Sequence, residues 1–96
     1  MKHVRILEHE VETYLRNKVK ERGGRCVKLI PDYARGYPDR LVILPEGILI
    51  WVETKKPRGG RLSLMQRVCH GELRKLGQRV EVVWTKEDVD KVLESL

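Results

Sequence analysis

The run Ile48-Leu49-Ile50-Trp51-Val52 passes without a break into Glu53-Thr54-Lys55. Five consecutive apolar residues of this kind read as a central strand buried on both faces. Charged groups therefore end a buried strand. Glu53 and Lys55 are two positions apart, so their side chains project from the same face. The alternative is an exposed strand end carrying an ordinary ion pair, worth at most about 1 kcal/mol.

The remaining elements fall into place around this strand. Val4 to Arg22 reads as a helix, with Val4, Leu7, Val11, Tyr14 or Leu15, and Lys18 or Val19 recurring at three- and four-residue steps. Gly23-Gly24 ends it. Cys26 to Ile30 reads as a short strand stopped by Pro31, and Asp32 to Pro38 as a loop. Arg40 to Leu44 is a second strand, joined to the apolar run by the turn Pro45-Glu46-Gly47. Ser63 with Gln66 three residues on forms a capping box, opening a helix with the apolar stripe Met65, Val68, Cys69, Leu73 and Leu76. Val80 to Trp84 reads as a strand. Thr85 and Asp88 cap a last helix bearing Val89, Val92, Leu93 and Leu96. The order α-β-β-β-α-β-α describes an α/β sandwich around a small mixed sheet flanked by helices. At 96 residues it is one domain, spanning 1–96.

If Asp39 to Leu44 pairs antiparallel with Ile48 to Thr54, the start of one strand lies beside the end of the other. Asp39 and Glu53 then become neighbours at one edge of the sheet. Two adjacent carboxylates repel and raise each other's pKa unless a cation sits between them. Mg²⁺ or Mn²⁺, hard ions that take oxygen ligands and retain waters, suit the pair. Lys55 on the same face is placed to orient or deprotonate an attacking water and to offset charge building on phosphorus. Alone, Asp39 would be read as a turn residue after a proline; Glu53 and Lys55 nearby favour ligation.

Gly36-Tyr37-Pro38-Asp39 and Glu53-Thr54-Lys55 resemble the signature of the PD-(D/E)XK nuclease superfamily. With Glu8, Gly23-Gly24, Gly59-Gly60 and Leu62-Ser63-Leu64-Met65-Gln66, nearly the whole chain resembles the virus-type replication-repair nuclease domain, VRR-NUC, as a minimal stand-alone copy. The resemblance implies a restriction-endonuclease-like sandwich and a divalent-metal-dependent endonuclease. It makes Asp39, Glu53, Thr54 and a first-helix glutamate the metal-holding residues, with Mg²⁺ as cofactor and Mn²⁺ able to substitute. Glu8 fits that glutamate best by its spacing to Val11 and Leu15. Glu10 and Glu12 lie on the same helix, and steps of about 100° per residue put Glu8 and Glu12 on nearly one face. Gln66 would orient water or contact phosphate beside its capping role.

Twenty Lys and Arg against fourteen Asp and Glu give a net charge of +6, which favours a polyanionic partner over an incidental basic surface once the site is considered. Lys56, Arg58 and Arg61 in the glycine-rich loop, with Arg35 and Arg40 around Pro38-Asp39, are read as phosphate contacts. Five aromatic residues and no Phe give poor support for a base-stacking platform. No run approaches a membrane span, no signal peptide is visible, and two cysteines suit a reduced, intracellular protein. The histidines His3, His9 and His70 match no catalytic pattern, and Cys69 reads as core. Nothing resembles a recognition helix or base-reading loop, so shape recognition of branched or flapped DNA is expected, and resemblance and size imply a Holliday junction as the substrate. Resemblance and size imply a homodimer in the cytoplasm of a bacterial or phage-infected cell. The rival readings are a non-catalytic nucleic-acid-binding module on a nuclease fold, a restriction- or exonuclease-type activity, and a small interaction protein.

Overall fold

Capping chemistry sets the starts of the last two helices. The computed structural model describes residues 7–29 and 35–96. Helix α1 covers Glu8–Glu21, α2 Leu64–Lys75 and α3 Lys86–Glu94. At α2 the Gln66 N–H donates to Ser63 Oγ at 3.1 Å and the Ser63 N–H donates to Gln66 Oε1 at 2.9 Å, so both halves of the expected capping box form. Thr85 and Asp88 repeat the arrangement at α3. The expected beginning of α1 at Val4 and the strand end at Ile30 lie outside the described residues, as do Asp32, Tyr33 and Ala34 of the loop.

The strands are β1 (Arg25–Lys28), β2 (Arg40–Leu44), β3 (Ile48–Thr54) and β4 (Val80–Val83), in sheet order β1-β2-β3-β4. The first two pairings are antiparallel and β3 pairs parallel with β4, giving the mixed sheet expected. Pro45–Gly47 forms a single 3-10 turn between β2 and β3, with Glu46 at φ 69° and Gly47 at φ 74°.

Alternation along β2 and β3 separates two faces. Val42, Leu44, Ile50 and Val52 turn toward α1 and α3, where they bury against Val11, Leu15, Val19, Val83, Val89, Val92 and Leu93. This is the main core. On the other face Trp51 packs with Cys69 and Leu73 of α2 and with Val80. Here the expectation of a strand buried on both faces needs correction. Leu49 is 38% exposed and Ile43 of β2 is 40% exposed, because α2 covers only the part of that face nearest β4. The stripe expected on α2 is likewise only partly internal. Cys69 and Leu73 are buried, whereas Met65 and Val68 are each 53% exposed and Leu76 points to solvent. His70 takes the buried place instead.

Candidate active site

The register of β2 and β3 builds the site. Arg40 stands opposite Val52, so the next step along the ladder sets Asp39 opposite Glu53. Glu53 follows Trp51 on the α2 face, and Lys55 falls on that same face by alternation. Glu53 is 4% exposed. Its carboxyl is pushed up to about 8, first by burial and then by the charge of Asp39. Lys55 pulls in the opposite direction, while Asp39 is near enough to share a proton with Glu53 and the charge of Glu8 also reaches it. Asp39 and Glu53 stand side by side as the strand pattern predicts, and the charge of Lys55 reaches Glu53.

Asp39 is fixed from the neighbouring strand. The Thr54 N–H donates to its Oδ1 at 2.8 Å, and Thr54 Oγ1 lies 2.7 Å from its Oδ2. Thr54 is buried and faces α1, where its Oγ1 also lies 3.2 Å from Glu12 Oε1. One hydroxyl carries one proton, and the shorter contact takes it. Glu12 accepts from Arg40 Nη2 at 3.1 Å. Among the first-helix glutamates, then, Glu12 is engaged with Thr54 and Arg40, while Glu8 is half-buried and close enough for its charge to act on Glu53. Glu10 is half-buried in the first turn of α1.

Asp39 and Glu53 open onto a cavity of about 600 Å³, also lined by Arg35, Tyr37, Met65 and Gln66. Gly36 shapes its wall. The residue has φ +79°, and a Cβ there would meet the Met65 carbonyl oxygen at 2.7 Å, so α2 approaches the loop as closely as a bare backbone permits. The Gln66 carbonyl oxygen is held by the cap, which leaves its amide NH₂ for the cavity. Lys56, Arg58 and Arg61 are exposed or lie in the exposed loop after β3, and Arg35 is exposed at the cavity mouth. Arg40 is different. It is 5% exposed, with its guanidinium on Glu12 and its Nε 3.8 Å from Asp39 Oδ2, so it holds the site together from within and offers phosphate no surface.

Two features escape a reading of the sequence. One is the Arg40–Glu12–Thr54–Asp39 chain of contacts. The other is His70, fully buried, whose Nε2 stands 3.5 Å from Glu53 Oε1. A signal for the second existed, since His70 lies beside Cys69 and three residues before Leu73, on the helix face those residues bury.

Among the described residues no group of three His, Cys, Asp or Glu side chains is arranged to hold a metal. Two carboxylates nevertheless fit Mg²⁺, which commonly takes one or two and keeps its waters. The donors are hard oxygens, and a cation between them would offset the burial and the Asp39 charge that raise Glu53.

Fold and site together define a nuclease of the PD-(D/E)XK class. A solved structure described as a VRR_NUC domain superimposes with a TM-score of 0.84 at 37% sequence identity, over 91% of this chain and 94% of that one. The chain is also 38% identical over 88 residues to "Putative nuclease p44" of Acyrthosiphon pisum secondary endosymbiont phage 1, covering 92% of each protein. The chain belongs to the VRR-NUC family. No family profile matches it.

Proposed function

We propose that this chain is a divalent-metal-dependent DNA endonuclease that cuts branched DNA such as Holliday junctions. The observation that carries the reading is the opposition of Asp39 and Glu53 at one end of the sheet, open to a cavity and with Lys55 beside them. Asp39 and Glu53 would hold Mg²⁺ or Mn²⁺, with Glu8 contributing from α1. Thr54 has its N–H and hydroxyl turned to Asp39, so its carbonyl oxygen is the group it has to offer. When bound, such an ion supplies Lewis acidity toward a phosphodiester oxygen and lowers the pKa of water.

The chain's own groups do the rest. Lys55 orients the attacking water, accepts its proton when neutral, and in its charged form offsets negative charge at phosphorus. The Gln66 amide donates to water or phosphate from the cavity wall. Lys56, Arg58, Arg61 and Arg35 hold the DNA backbone without reading bases. A homodimer presenting two such sites to two strands is supported by the incompletely covered sheet face around Ile43 and Leu49 and by exposed Leu64, Met65 and Val68 on α2.

The test is cleavage of linear, flapped and four-way DNA with Mg²⁺ or Mn²⁺, with Glu53→Ala and Lys55→Ala as controls. The expected result is metal-dependent cutting of branched substrates that both variants abolish, with sedimentation at twice the monomer mass. Binding without cleavage in every metal would leave a non-catalytic module. Preference for linear ends would mark an exonuclease or restriction-type activity.

A further inference from the structure

His70 of α2 is the largest fully buried polar side chain among the described residues, 1% exposed. Among the described residues neither ring nitrogen has a hydrogen-bond partner, and Glu53 Oε1, 3.5 Å from Nε2, has none either. A buried polar atom left unpaired keeps the cost of its lost hydration with nothing to offset it. Cys69 and Leu73 beside it pack against Trp51 and Val80, and an apolar residue at position 70 would extend that packing without the cost. Packing therefore does not account for an imidazole here. The acidic group within 4 Å of it among the described residues is Glu53, with the charge of Asp39 acting from beyond.

We infer that His70 is a positioning residue for Glu53. The neutral ring donates from Nε2 to Oε1, which leaves Oε2 for Asp39 and the cavity. The separation is longer than a formed N–H···O bond, and a shift of about half an ångström closes it. A donor behind a carboxylate ligand fixes its direction and stabilises its charge where burial opposes it. The inference rests on the metal-dependent reading of Asp39 and Glu53 and adds the group that aims one of them. Asp39 is aimed by Thr54 on one side, and Glu53 by His70 on the other.

The experiment is Mn²⁺ binding by calorimetry, without DNA, to the wild-type protein and to His70→Phe, His70→Gln and Glu53→Ala. His70→Phe keeps an aromatic ring, somewhat larger, and removes the donor. His70→Gln returns an N–H at the reach of Nε2. The expected result is that Phe weakens Mn²⁺ binding about tenfold or more while Gln recovers most of it. Binding unchanged in His70→Phe overturns the inference, and so does an equal loss in both variants, which would mark a packing role. The wild-type protein gives a readout that needs no variant: the His70 Nε2–H proton resonance should move downfield as Mg²⁺ is added. A resonance that stays in place while signals from Asp39 move also overturns it. If the wild-type protein binds no Mn²⁺ and matches Glu53→Ala, the metal-dependent reading fails, and the role of His70 falls with it.

Discussion

Thr54 grips Asp39 by both carboxylate oxygens, its N–H on Oδ1 at 2.8 Å and its hydroxyl 2.7 Å from Oδ2. A carboxylate held twice by one residue of the adjacent strand has little freedom to rotate. Thr54→Val keeps the shape and the backbone donor but removes the hydroxyl. Cleavage should fall about tenfold, equivalent to about 1.4 kcal/mol of barrier, while Thr54→Ser stays near wild type. Plasmid nicking rates beside thermal melts would check this.

Stability without metal should fall as pH rises. Unfolded, Glu53 loses its proton near its ordinary 4.5; folded, it keeps the proton up to about 8. Between those values the folded state binds more protons, so the contribution is full below the lower value and is lost as pH passes the upper one. Denaturant midpoints in EDTA from pH 5 to about 9 should decline for the wild type relative to Glu53→Gln. A constant difference between the two proteins would contradict the raised carboxyl.

Arg40→Ala should destabilise the fold. It strips the guanidinium from Glu12 and leaves that half-buried carboxylate without its cation. Breaking a buried pair from one side costs about 3–5 kcal/mol, and Glu12's partial exposure puts this case at the lower end. A drop in melting temperature of about 10 °C or more is expected. A variant that melts normally but binds DNA with a shallower salt dependence would instead place Arg40 on phosphate.

Gly36→Ala introduces both a left-handed strain and a clash with the Met65 carbonyl oxygen. The left-handed conformation alone costs about 1–2 kcal/mol. Relief requires α2 to move away from the loop, which should lower cleavage more than it lowers the melting temperature. Gly47→Ala, with a similar φ but open space around it, serves as the comparison.

The basic loop should act through charge alone. Its fold is fastened to the sheet, since the Trp84 indole N–H donates to the Gly60 carbonyl at 2.9 Å. Arg58→Ala and Arg61→Ala should each weaken DNA binding and lower the slope of log K against log salt by about one, uniformly across sequences. Fluorescence anisotropy at several salt concentrations reads this directly. Unchanged slopes would remove these residues from the DNA path.

Much of this was legible in the chain. The capping pairs Ser63/Gln66 and Thr85/Asp88 fix helix starts through local hydrogen bonds, which sequence displays. Asp39 meets Glu53 because a tight turn joins two strands, another local relation. What stayed hidden depends on how layers cover one another. Helical periodicity picks out Met65, Val68 and Leu76, but the sheet beneath α2 reaches only as far as Cys69, His70 and Leu73. A basic residue at a strand start reads as surface, and only the placement of α1 shows Arg40 meeting Glu12. Glu8 and Glu12 differ by about 40° around the helix, too little for periodicity to separate. Contact with Thr54 separates them at once.

The turn Pro45–Gly47 lies at the far end of the β2–β3 hairpin from Asp39 and Glu53, about 20 Å along a strand of seven residues. Two successive left-handed residues, Glu46 and Gly47, decide which residue of one strand faces which of the other. Sliding that alignment by a single position would send Glu53 to the side now occupied by Thr54 and bring an uncharged group in its place. Indels in this three-residue bend should therefore silence the enzyme while leaving every chemical group intact.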